Sequence, residues 1–176
     1  MIAKPKTPGV LGKYIELVDD NDLLTALRTQ TEGMLGFLSR IPDERWSYRY
    51  DDGKWTLAQV ILHIIDCERI FTTRALCIAR GETQQLPGFD ENAYAEQCDA
   101  EHRTKQSIIE EYIVVRTASV ALFGNLQERR LDATGVANTH AMTPREIGYF
   151  LLGHEKHHQE VIAKRLQPIY DLKISS

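Results

Sequence analysis

Residues 143–166 read TPREIGYFLLGHEKHHQEVIAKRL, and this stretch sets the fold class. Thr143 supplies a capping oxygen, Pro144 suits the first helical position, and Glu146, three residues after Thr143, completes a capping box. The predicted helix runs to about Leu166 and stops before Pro168. At about 100° per residue, Ile147, His154, His158, Val161 and Arg165 fall within one narrow arc, with His157 towards its edge. The inner face of this helix is thus apolar and carries two imidazoles.

Three further segments show the same period. The first helix is expected to start near Asn21 or Asp22 and reach Arg40, with Leu24, Leu27, Thr31, Met34, Leu35 and Leu38 on one face and Pro42 beyond it. The second begins at Thr56, which forms a capping-box pair with Gln59, and runs through Arg80 to Gly81. The third lies within Glu101–Glu128, where Ile108, Tyr112, Val115, Ser119, Leu122 and Leu126 alternate steps of four and three. No stretch of strand length alternates with period two, so the fold class predicted is all-α, a four-helix bundle. The connection from Glu82 to Ala100, containing LPGFDENAYAE, is long for a bundle and suits a crossover between parallel neighbours, helices 2 and 3. LDATGVANTHAM, between helices 3 and 4, reads as a Gly/Asn/Thr-rich connection.

A chain of 176 residues suits one domain, 1–176, with its own core. Its hydrophobic content of 43% and charged content of 26% are those of ordinary globular chains. The net charge of −4, with scattered basic residues, argues against a nucleic-acid partner. No segment has the length of a membrane span or a signal-peptide core. The three cysteines, Cys67, Cys77 and Cys98, are odd in number and lack CxxC spacing, so a reducing cytoplasm is expected.

The chemistry centres on histidine. His154 and His158 stand one turn apart and leave the same helix face, although spacing alone leaves metal binding and a surface coincidence both open. His63, in VILHIIDCERI, lies at helical spacing from Val60, Cys67 and Ile70, so its ring is also expected inside, where by itself it suits a hydrogen-bonded core residue more than a ligand. Three buried imidazoles converging between helices call for a ligand, and a divalent metal ion, zinc or nickel before copper or iron, satisfies them. Three protein ligands leave positions open for a small-molecule substrate or water. Asp66, Glu68, His157 and Tyr112 are candidates for supporting the ligands, the two carboxylates by accepting a ring proton. Asp66 and Glu68 also suit ordinary surface pairs, and Cys67 suits either a soft fourth ligand or plain core. Ser119 and Tyr112 offer hydroxyls, Arg74 suits a substrate carboxylate or the long loop, and Trp46 and Trp55 are expected to pack near helix ends.

WTLAQVILHIIDCERIFTTRALCIARGE, LPGFDENAYAE and GHEKHHQEVI, in that order, resemble the DinB/YfiT-like superfamily of metalloenzymes, over about Tyr14 to Leu166. The opening YIELVDDNDLLTALR and the VANTHAMTPRE stretch are similar to its DinB-like branch. The resemblance implies a four-helix bundle, a homodimer, and a metal triad matching His63, His154 and His158. It also implies thiol-dependent chemistry, the ion activating a low-molecular-weight thiol for transfer, or water for hydrolysis. Two other readings stand beside it. His154, Glu155 and His158 satisfy HExxH, in which Glu155 would be the general base of a zinc protease, but no downstream histidine follows. The bundle also suits a non-catalytic, metal-binding dimeric module.

Overall fold

A computed structural model describes residues 1–49 and 51–166. Its elements are α1 (Gly9–Glu16), α2 (Leu23–Ser39), α3 (Leu57–Ala79), α4 (Glu91–Glu96), α5 (Lys105–Gly124), α6 (Glu128–Leu131), β1 (Gly135–Ala137), β2 (His140–Met142) and α7 (Pro144–Leu166). Helices α2, α3, α5 and α7 form the bundle. Pro168, the expected stop of the last helix, lies outside the described residues.

Local sequence sets the long helices. The Asp22 carboxylate caps α2 by accepting the Thr25 N–H, and Thr56 and Gln59 make both bonds of the predicted capping box on α3. Thr104 caps α5 through the Ser107 N–H. At α7 the Glu146 carboxylate accepts the Thr143 N–H at 2.8 Å while Thr143 Oγ1 accepts the Glu146 N–H at 3.2 Å.

The core fixes helix directions. One cluster joins Met34–Ile41, Leu57–Ile65, Ile108–Val115 and Ile162–Ala163; the other joins Leu23–Leu27, Ala75–Ile78, Phe123 and Ile147–Leu152. The early part of α3 therefore meets the early part of α5 and the late parts of α2 and α7. Helices α3 and α5 run parallel, α2 and α7 opposite to them, and the connection over residues 80–104 is the crossover the loop length predicted.

Three local expectations need correction. The inner stripe of α2 is rotated: Leu23, Ala26 and Phe37 are buried with Leu27, Met34 and Leu38, while Leu24 and Leu35 are at its edge. An unanticipated helix, α1, lies across α7 at Gly153, where a Cβ would stand 1.8 Å from the Tyr14 carbonyl oxygen, so glycine alone permits the approach. The connection between helices 3 and 4 holds a β1–β2 hairpin whose two loop residues, Asn138 and Thr139, both have positive φ, the geometry of a type I′ turn. Leu86 of the crossover donates its N–H to Val136 and accepts that of Asn138, tying crossover and hairpin into one cap over the helices.

Candidate metal centre

Helix α3 presents His63 and α7 presents His154 and His158 to one point between them. His63 and His154 are buried and His158 is half-buried. His154 Nε2 lies 3.2 Å from His63 Nε2 and 3.1 Å from His158 Nε2, and one donor nitrogen from each ring falls within 4.8 Å of the others. A neutral ring nitrogen carries either one proton or one lone pair. His154 Nε2 can therefore hydrogen-bond to just one of its two neighbours, and the other contact is left unpaired. A cation at the centre accepts all three lone pairs at once. Two nitrogens each about 2.1 Å from one ion stand roughly 3.4 Å apart at the tetrahedral angle and about 3.0 Å apart at a right angle; the two separations from His154 lie between these.

Electrostatics prepare the same state. Burial pushes the His63 pKa down to about 4. Burial, then His63, His157 and Arg165, push His158 to about 3, and burial with its three neighbouring histidines holds His154 well below the ordinary value. All three rings are neutral near pH 7, the form that binds metal.

The residues expected to support the ligands have other partners. The Glu68 carboxylate accepts two bonds from Arg116, from Nε at 2.8 Å and Nη2 at 2.9 Å, and Asp66 faces Arg69 at 3.7 Å. Neither receives a ring proton of His63. The Tyr112 hydroxyl donates to Glu155 at 3.0 Å, and Ser119 Oγ to the Val115 carbonyl at 3.1 Å. His157 is exposed, its ring 5.2 Å from that of His158. Apolar surfaces orient the rings in place of carboxylates: Trp55 packs 4.9 Å from His63, and Phe150 stacks 5.5 Å from His154. Cys67 Sγ lies 3.7 Å from both ring nitrogens of His63, and burial pushes its thiol pKa up to about 12.

Sequence reasoning passed over Arg116, which is 1% exposed and central to the bundle. Besides Glu68, its Nη2 donates to Glu155 Oε2 at 2.6 Å, and Gln30 Nε2 donates to Glu155 Oε1 at 2.8 Å. Burial disfavours its charge, but Glu155 and Glu68 outweigh that and hold the guanidinium protonated, while burial raises the Glu155 pKa. The glutamate of the HExxH pattern is thus engaged at both oxygens within the bundle core, where a general base needs a free one. The signal lay in the four-residue step from Tyr112 to Arg116, which puts both on the inner face of α5.

Beside His154, the one histidine of the three that lines it, is a cavity of 280 Å³, bounded also by Tyr14, Cys67, Phe71, Arg74 and Phe150 and capped by the crossover and hairpin through Phe89 and Asn138. Among known families, the DinB superfamily matches residues 26–162, most of the chain and all three histidines. The chain belongs to the DinB superfamily. A relative from Oceanobacillus iheyensis, named "Putative metal-dependent hydrolase", is 26% identical over 147 residues, covering 82% of this DinB superfamily chain and 83% of the relative. The solved structure of YfiT from Bacillus subtilis, described as a probable metal-dependent hydrolase with an unusual four-helix bundle topology, superposes with a TM-score of 0.73. It covers 94% of this chain and 93% of YfiT at 17% identity, a likeness of fold.

Proposed function

We propose that this chain is a metal-dependent hydrolase of a small-molecule substrate, with zinc or nickel held by His63, His154 and His158. The observation that carries the reading is His154 Nε2, which lies within 3.2 Å of two other ring nitrogens and can pair with only one of them. The names of the relatives above favour hydrolysis.

Bound there, the ion would supply Lewis acidity, lowering the pKa of water or of a low-molecular-weight thiol so that it attacks as the nucleophile. The chain's own residues hold three imidazoles neutral, screen them from water with Trp55 and Phe150, and orient substrate in the adjoining cavity. Cys67 stays a thiol and serves as packing beside His63. Engagement of Glu155 by Arg116, Tyr112 and Gln30 argues against the zinc-protease reading. We read residues 1–176 as one domain, acting as a homodimer in the cytoplasm, a setting that suits three unpaired cysteines. No helix among the described residues is long and apolar enough to cross a membrane.

The test is elemental analysis of untagged protein beside His63→Ala and His158→Ala. The wild type is expected to hold about one equivalent of metal and the variants far less; equal metal in all three refutes the triad. Ester and amide hydrolysis, assayed beside thiol transfer to electrophiles, then separates hydrolase from thiol transferase. Metal retention with neither activity would leave a metal-binding module.

A further inference from the structure

Resting on the reading above, we infer that the cavity beside the histidines takes a substrate with a carboxylate at its far end, anchored by Arg74. Arg74 is 6% exposed and lines the cavity, with its guanidinium carbon 4.6 Å from the Phe71 ring centroid and 5.8 Å from that of Phe89. Among the described residues its one hydrogen bond runs from Nη2 to the Pro87 carbonyl at 2.7 Å. A guanidinium has five N–H donors, so four find no acceptor among the described residues. Nε and Nη1 are not sealed in protein either, because among the described residues the one fully enclosed side-chain nitrogen or oxygen without a partner is Trp46 Nε1. A buried cation without an anion is costly, and Arg74 borders two open spaces, this cavity and one of 250 Å³ lined by Ile70, Thr73, Leu86 and Pro87.

The ligand's shape follows from helix geometry. His63, Cys67 and Arg74 share one face of α3, since steps of seven and eleven residues are close to two and three turns. Eleven residues rise about 16 Å, and the arginine side chain leans back towards the helix N-terminus, leaving roughly 10 Å between guanidinium and histidines. Phe71, Phe150 and Tyr14 make the intervening wall apolar. Among the described residues Arg74 is the single lysine or arginine in the lining, and Glu91 adds an acidic group that makes no ion pair with it. One cation with aromatic neighbours suits a singly charged, planar carboxylate; a phosphate dianion calls for more positive charge. The substrate class is an acid whose carboxylate and reacting group are separated by an apolar spacer of about eight bonds.

The experiment measures calorimetric binding of suberic acid monohydroxamate to the zinc-loaded full chain, against its methyl ester and the equivalent ω-phosphonate. Hydroxamate addresses the metal and the far end addresses Arg74. The free acid is expected to bind about tenfold or more tighter than the ester, as charge-assisted hydrogen bonds imply. Arg74→Gln is expected to abolish this preference and Arg74→Lys to keep part of it. Equal binding of acid and ester by wild type, or an undiminished preference in Arg74→Gln, overturns the proposal; tighter binding of the phosphonate overturns the carboxylate assignment. The wild-type ratio decides even if Arg74→Gln does not fold. Failure of the metal reading appears separately, as ester binding that is as tight to metal-free as to zinc-loaded protein.

Discussion

Arg116→Met tests the electrostatic centre of the bundle. The guanidinium makes three hydrogen bonds to carboxylate oxygens, at 2.8 and 2.9 Å to Glu68 and 2.6 Å to Glu155. Glu68 and Glu155 are 2% and 0% exposed. Methionine matches the stem but leaves two buried carboxylates without a counter-charge, and breaking a buried ion pair by removing one partner costs about 3–5 kcal/mol. For a chain of this length each kcal/mol lowers the melting temperature by roughly 2–4 °C, so a fall of about 10 °C is expected. Replacing the carboxylates as well, with Glu68→Leu and Glu155→Gln in the Arg116→Met background, removes the uncompensated charge and is expected to recover most of the loss. Urea unfolding of wild type, single and triple variants gives the comparison. A loss below about 1 kcal/mol in the single variant, or a triple variant no more stable than it, refutes the reasoning.

Gly153→Ala would place a methyl group 1.8 Å from the Tyr14 carbonyl oxygen and 2.4 Å from its carbon. Displacement of α1 is expected to outweigh the gain of about 1 kcal/mol in helix propensity; a variant with an unchanged or higher melting temperature would mean that α1 does not dock there. Thr56→Ala removes half of the capping box on α3 and is expected to cost about 0.5–2 kcal/mol, read by the same melts. Metal-free protein is expected to lose stability on acidification. His63 and His158 have pKa values of about 4 and about 3 against 6.5 unfolded, so their contribution is full above pH 6.5 and is lost as pH falls through 4 and 3. A flat unfolding free energy from pH 7 to 4 would contradict their burial as neutral rings.

The elements legible in the sequence were those with chemistry at their ends. Thr56 with Gln59 and Thr143 with Glu146 located the starts of α3 and α7 because a capping box is a local, short-range device. Helix α1 carries no such mark: its cap is Pro8 without a side-chain bond, and eight residues hold little helix unless packing supplies the stability. That packing, on Gly153, lies far away in the chain. The rotation of α2 has the same origin, since Leu23, Leu24, Phe37 and Leu38 offer two plausible stripes and only contact with α5 and α7 selects one. At the candidate site, His154 and His158 could be paired from spacing, and His63 placed inward from its apolar neighbours. Arg116 was hidden by its type, because arginine is so seldom fully buried that its place one turn beyond Tyr112 went unread.

The consecutive residues His154 and Glu155 show why these two features belong together. Neighbours on a helix project about 100° apart, so His154 faces α3 while Glu155 faces α2 and α5. On the second side Glu155 is held by Gln30, Tyr112 and Arg116, and Gln30 also donates to the Leu152 carbonyl at 3.0 Å. Each of these bonds resists rotation or sliding of α7, and an axial slip of one residue, about 1.5 Å, would break the Nε2 convergence across the helix pair. Three rings without carboxylate supports of their own need a backbone that does not shift. The buried network provides that by fixing α7 from the far side, which gives the glutamate of the HExxH pattern a positioning role: it holds the helix that carries two of the three histidines.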